Sequence, residues 1–176
     1  SATAGQLAEK YDKSRVAQAV KLMEVAIMAV AAAGFLSHNV TLLLAMVFMM
    51  GLHSTLFGPL KYSILPQVLR PDELVGGNGL IEMATFVAIL AGTILGASLI
   101  RIEGNGALWV SLACLGIAVM GLGTALAMPR LAPTAPGLPI RWNLFAETWD
   151  NLRRVRANRT VFLSCLGISW FWFYGS

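Results

Sequence analysis

The stretch VTLLLAMVFMMGLHSTLFGPL, residues 40–60, decides the class of fold. It holds no charged side chain and a single histidine, His53. As a helix it would rise about 30 Å, the thickness of a bilayer's hydrocarbon core. A helix on a soluble domain keeps a polar face, and this stretch has none. Leu80–Ile100 has the same length and one charge, Glu82; Ala107–Met128 has none. Leu22–Leu36 is shorter and carries Glu24, but it extends backwards through Ala17–Lys21 as a plausible helix. A further apolar run opens at Val161 and continues to Ser176. The expectation is an all-α transmembrane chain with spans at about 17–36, 40–62, 78–100 and 107–128, and a fifth that is cut short.

Composition agrees. Of 176 residues, 57% are hydrophobic and 12% charged, against about 25% charged in an average soluble domain. That leaves too little polar surface for a soluble enzyme, a disordered tail or a nucleic-acid module, so no nucleic-acid partner is expected. Cys114 and Cys165 lie far apart in apolar runs, without a metal or redox spacing, and are read as small core residues. Hydrolytic, phosphate-loop and metal-binding patterns are absent, so no catalytic residue, metal ligand or cofactor is assigned.

The net charge of +4 is unevenly placed. The joint before the first span holds Lys10, Lys13, Arg15 and Lys21. The joint after the second holds Lys61 and Arg70. The stretch 129–160 holds Arg130, Arg141, Arg153, Arg154, Arg156 and Arg159. Alternate joints thus carry all but one of the thirteen basic residues, Arg101 being the exception. This is the positive-inside pattern and assigns those three joints to the cytoplasm. Within the last of them, Leu131–Pro139 is proline-rich and should be extended. Trp142, Phe145, Trp149 and Leu152 then recur at helical spacing, with Arg153, Arg154 and Arg156 behind them. That pattern fits a helix over about 142–156, lying in the membrane interface or docked beneath the bundle. The domain reading is a bundle over 1–128, a cytoplasmic linker over 129–160 and the start of a second bundle over 161–176.

Candidate functional residues sit inside or beside the spans. Ser54 and Lys61 share a helix face, with His53 on its flank. Lys61 closes one span near the cytoplasm and Glu82 opens the next, so the two should lie at similar depth. They are expected to pair or to meet a charged headgroup together; otherwise Lys61 snorkels and Glu82 is interfacial. Asn78 belongs to the run Gly76-Gly77-Asn78-Gly79, read as a loop-to-helix joint allowing close packing. Ala84, Ala88, Gly92 and Gly96 recur every fourth residue, a small-residue stripe for helix packing. Glu82 points away from that stripe, on the side of Thr85 and Thr93.

The opening stretch Gly5-Gln6-Leu7-Ala8-Glu9-Lys10-Tyr11-Asp12-Lys13-Ser14-Arg15-Val16 resembles the motif between the second and third helices of the major facilitator superfamily. Gly5, Leu7, Ala8, Lys10 and Lys13 match in identity or type. Glu9 replaces the usual aspartate and Asp12 the usual glycine. The resemblance implies a partial major facilitator bundle, with helices three to six complete, a central linker and a truncated helix seven. It also implies a conformational gate formed by Gly5, Leu7, Glu9, Lys10, Asp12, Lys13 and Arg15. Alanine and glycine in Ala91-Gly92-Thr93-Ile94-Leu95-Gly96 stand where that family's antiporter motif has its Gly-Pro pair, without the proline.

Two further segments, Phe57-Gly58-Pro59-Leu60-Lys61-Tyr62-Ser63-Ile64-Leu65-Pro66 and Gly77-Asn78-Gly79-Leu80-Ile81-Glu82, are similar to the bacterial lysophospholipid transporters. Some members of that branch are fused to acyltransferase and acyl-carrier-protein synthetase domains. The resemblance implies alternating access in the bacterial inner membrane. It also implies lysophospholipid as substrate, membrane lipids around it and an acyltransferase as partner. Lys61, Glu82, Asn78, Ser54 and His53 would line the substrate path, with Met46, Met49, Met50 and Met83 beside an acyl chain. Two other readings stay open. One is a proton-coupled carrier of a drug or small metabolite using Glu24 or His53. The other is a membrane scaffold for an acyltransferase, with no transport of its own.

Overall fold

The computed structural model describes residues 2–138 and 144–175. Seven helices and no strand occur among the described residues: α1 (Ala2–Lys10), α2 (Lys13–Leu36), α3 (Val40–Val68), α4 (Leu74–Leu99), α5 (Gly106–Leu126), α6 (Leu144–Ala157) and α7 (Arg159–Gly175). Helices α2 to α5 are long and apolar enough to cross a membrane. Most of their large side chains, such as Phe48, Leu90 and Met120, are exposed, as lipid-facing positions are.

The helices run further than the apolar stretches. α2 takes in the charged stretch from Lys13, because the Asp12 side chain accepts from the Ser14 amide and caps the first turn. α3 continues to Val68 through Pro59 and Pro66; membrane helices tolerate such breaks in the hydrogen-bond ladder where neighbours compensate. α4 begins at Leu74, so Gly76-Gly77-Asn78-Gly79 lies within its first turns and is not a loop. The close approach holds at Gly77, where a Cβ would overlap the tip of Leu69.

The chain divides into two units, Thr3–Leu138 and Pro139–Ser176. In the first, α2 packs most extensively on α5 and next on α3, while α4 touches α3 and α5 among the described residues. The buried positions of α2 other than Ser14 (Lys13, Ala17, Val20, Ile27, Ala31 and Gly34) follow steps of four and three, with one step of seven between Val20 and Ile27. Glu24 falls on the same seam. α5 answers with Ser111, Ala118 and Ala125, seven apart. Small side chains on both seams let the backbones approach. At one end Ala8, Ala17 and Leu60 form a buried cluster under Val16, Phe57 and Ile64.

The turns are tightly specified. His38 adopts a positive φ of 51° and Gly104 one of 76°. Gly106 opens α5 against the Ile100 carbonyl oxygen, where any Cβ would collide with backbone.

In the second unit α6 and α7 touch, and the Arg156 guanidinium sits 5.9 Å from the Phe162 ring. Trp149 and Leu152 are exposed on α6. Arg141, Trp142 and the side chain of Phe145 lie outside the described residues. Cys165 is exposed on α7 and is not a core residue, since α6 is the only helix packed on α7 among the described residues. Cys114 is half-buried on α5.

Candidate functional site in the membrane core

Two polar clusters occupy α3, about two helical turns apart. The deeper one lies where α2, α3 and α5 meet. Lys21 Nζ donates to Glu24 Oε2 at 2.7 Å, one turn along α2. His53 Nε2 of α3 lies 3.3 Å from the same carboxylate oxygen. The three side chains are 19%, 14% and 5% exposed. His53 Nε2 is fully buried and has no hydrogen-bond partner among the described residues. Phe57, one turn along α3, stacks on the His53 ring at 6.1 Å, and Lys21 Nζ lies 4.6 Å from the Phe57 centroid. On the α5 side position 121 is glycine, and a Cβ there would stand 3.4 Å from Lys21 Nζ, in ordinary contact. A carboxylate, an ammonium and an imidazole thus share one pocket, where an unpaired charge would cost several kcal/mol, about 2.5–3.5 by insertion scales.

The second cluster joins α3 to α4 near the Lys61 level. Lys61 Nζ donates to Thr85 Oγ1 at 3.4 Å and lies 4.8 Å from the Tyr62 ring centroid. The Tyr62 hydroxyl donates to the Glu82 carboxylate. Lys61 and Glu82 therefore lie on facing helices at one level, as their spacing suggests. The carboxylate is taken by Tyr62, however, and no Lys61–Glu82 ion pair forms among the described residues. Thr85 and Glu82 face α3, while the stripe Ala84, Ala88, Gly92 and Gly96 has no helix against it among the described residues: the first three are exposed and Gly96 is half-exposed. Asn78 is exposed and its Nδ2 donates to the Leu74 carbonyl within its own helix. Ser54 is exposed on α3 and does not join the buried His53.

The motif-like loop is organised by the chain that leaves α5. Gly5, Leu7, Glu9 and Lys10 belong to α1; Asp12 caps α2; Lys13 and Arg15 lie in its first turn. Residues 131–135 cross this loop as an extended strap. Lys13 N donates to the Leu131 carbonyl at 3.3 Å, and Ala135 N donates to the Glu9 carbonyl at 2.9 Å. Lys13 Nζ, 1% exposed as a residue, donates to Thr134 Oγ1 at 2.7 Å. Gln67 of α3 donates to the Ala132 carbonyl at 3.0 Å. Lys10 and Arg15 stay outside this network and more exposed than Lys13. The Ser14 hydroxyl bonds Asp12 at 2.6 Å and holds its carboxyl below the usual carboxylate range, with the Ser14 and Leu131 amides adding to the effect.

Sequence reasoning singled out Glu24 and His53 separately and missed their meeting, as well as the parts played by Lys21, Phe57, Tyr62, Thr85 and Thr134. One signal was available. The three-four spacing from Ala17 to Gly34 puts Glu24 on the packed face of α2, where a carboxylate needs a partner from another helix.

Comparison with known proteins gives a consistent direction. The chain is 32% identical over 172 residues to the lysophospholipid transporter LplT of Pectobacterium carotovorum subsp. carotovorum (strain PC1), covering 96% of this chain and 39% of that protein. It is 33% identical over 177 residues to the lysophospholipid transporter LplT of Enterobacter sp. (strain 638), covering 96% and 40%. It is 30% identical over 175 residues to the LplT of Escherichia coli O6:K15:H31 (strain 536 / UPEC), with the same coverage. No family model matches the chain, and no solved structure matches it significantly. The chain is thus similar, along nearly its whole length, to proteins named lysophospholipid transporters, and it spans about two fifths of theirs.

Proposed function

We propose that this chain is part of a transporter of the major facilitator type that moves lysophospholipid across the bacterial inner membrane by alternating access. The similarity to lysophospholipid transporters over 96% of the chain carries this reading. In it, α1 is the end of the second helix and α2 to α5 are the third to sixth. Residues 129–160 are the central linker, with α6 in the cytoplasmic interface, and residues 161–176 open the seventh helix. The bare stripe of α4 then meets a helix from elsewhere in the transporter. The residues described perform no catalysis; any acyltransferase is a partner or a fused domain.

The Lys61 cluster is the headgroup station. Among the described residues the ammonium of Lys61 reaches a threonine hydroxyl and an aromatic face but no carboxylate, which leaves its charge available for a lysophospholipid phosphate. Glu82, already bonded by Tyr62, stands beside it for an ethanolamine. His53, Ser54 and Asn78 would line the path at other levels. The loop from Gly5 to Arg15, under its strap, serves as the cytoplasmic gate.

The test is uptake of labelled lysophosphatidylethanolamine by the full protein that carries this chain. Lys61→Glu should reduce uptake to background while membrane insertion stays normal. Wild-type uptake in that variant removes Lys61 from the path. Absence of uptake in the unmodified protein overturns the transport reading in favour of a scaffold for an acyltransferase.

A further inference from the structure

The headgroup reading gives His53 a place on the path but leaves its partners Lys21 and Glu24 without a role. His53 is held tightly: its ring is stacked on Phe57 and its residue is 4% exposed. Yet Nε2 has no hydrogen-bond partner among the described residues, and it stands 3.3 Å from a carboxylate oxygen. A buried polar atom left unpaired costs about 1–3 kcal/mol. A small turn of the ring would bring an N–H at Nε2 onto the Glu24 oxygen that accepts from Lys21, which has a lone pair left for a second donor. The charged and titratable groups facing the imidazole are Lys21 and Glu24, both from α2. α5, which closes the pocket, carries no charged residue. With His53 neutral, Lys21 and Glu24 balance each other. With His53 protonated, the pocket gains one positive charge and a second donor to Glu24.

We propose that the Glu24–His53 pair is a proton-binding site within the membrane core, and that its occupancy governs transport. The proton comes from the aqueous phase and binds the lone pair of His53 Nε2. It converts a van der Waals neighbour into a charge-assisted hydrogen bond between α2 and α3. Release of the proton removes that tie. Glu24 keeps Lys21 in either state, so its charge is never left unpaired. The ends of α2 and α3 carry the gate loop and Lys61 respectively, so the tie acts on the two helices that alternating access would move. Its effect on transport rests on the transport reading; the proton site itself does not.

Two measurements on the full protein test it. The first follows the His53 ring by nitrogen NMR in micelles, with the signal identified by its loss in His53→Gln. The expected result is titration of the ring within the pH range over which the protein stays folded, with a midpoint that falls by about one pH unit in Glu24→Gln. A ring that does not titrate, or whose midpoint ignores Glu24→Gln, overturns the site. The second is uptake of labelled lysophosphatidylethanolamine into proteoliposomes with equal pH on both faces. Uptake should vary several-fold over that range in the unmodified protein and stay flat in His53→Gln. Equal pH profiles in both overturn the link to transport. A ring that titrates as expected in a protein with no uptake at any pH keeps the proton site and overturns the transport reading.

Discussion

Asp12 stands where the motif that the opening stretch resembles has a glycine, and in the structure it has a purpose of its own. Its carboxylate accepts from the amide and the hydroxyl of Ser14 and from the Leu131 amide, which lies 3.4 Å away on the strap. It caps a helix and receives the strap at one point. Because these bonds hold its pKa below the unfolded value of about 3.9, its contribution to stability is present above that pH and is lost as pH falls through the lower folded pKa. The melting temperature of Asp12→Ala should therefore lie below wild type at neutral pH, and the two should converge as pH falls below about 4. A constant gap between them would show that the carboxylate's charge plays no part. A single sequence reads Asp12 as a departure from a pattern. Its function as a cap needs only Ser14, two residues on, and was locally legible. Its bond to residue 131 was not, because nothing in either segment names the other.

Among the elements, the strap and α2 carry the same lesson in opposite ways. Residues 131–135 look like a proline-rich connector, and their extended course follows from composition. Their docking depends on Lys13 turning inward to Thr134, a choice that charge counting reverses, since basic residues of a loop are expected to face water. Thr134→Val keeps the shape and removes the acceptor, leaving a buried ammonium unsatisfied. It should destabilise the protein by about 1–3 kcal/mol in mixed-micelle denaturation. No loss would mean that Lys13 swings out to solvent without cost. In α2, by contrast, the packed face is written in the spacing of small and apolar residues. The stripe of α4 looks like a better packing seam, and yet no helix lies on it among the described residues. Spacing of small residues shows where a helix can be approached; it does not say by which neighbour.

For the first unit as a whole, the distribution of charge is the most legible feature. Gln18 of α2 donates to the Ala125 carbonyl near the end of α5, and the α3 end reaches Ala132. The stretch before α2, the end of α3 and the first residues after α5, up to the strap, therefore gather at one end. The turns around His38 and around Gly104 line a common cleft of about 690 Å³ at the other. By the positive-inside rule the basic end is expected in the cytoplasm. After replacement of Cys114 and Cys165, a cysteine at Asp72 should react with a membrane-impermeant maleimide only from the cytoplasmic face, and one at Ser37 only from the opposite face. Labelling of both from one side would contradict the topology. The depth and order of the spans could be read from hydropathy alone. The preference of α2 for α5 over its neighbour in sequence, α3, could not, because all four spans are apolar enough that lipid satisfies them equally well.

That preference bears on biogenesis. α2 enters the bilayer before the other three spans, and its most extensive partner enters last. Through that interval α2 lies among lipids with a carboxylate in mid-span. The ion pair between Lys21 and Glu24 lies within the one helix, a single turn apart. The nascent segment thus inserts with its counter-ion already in place and needs no helix still on the ribosome to neutralise it. His53 arrives with α3 to a carboxylate that is already occupied, and so it can join as an adjustable member of the cluster and not as its foundation.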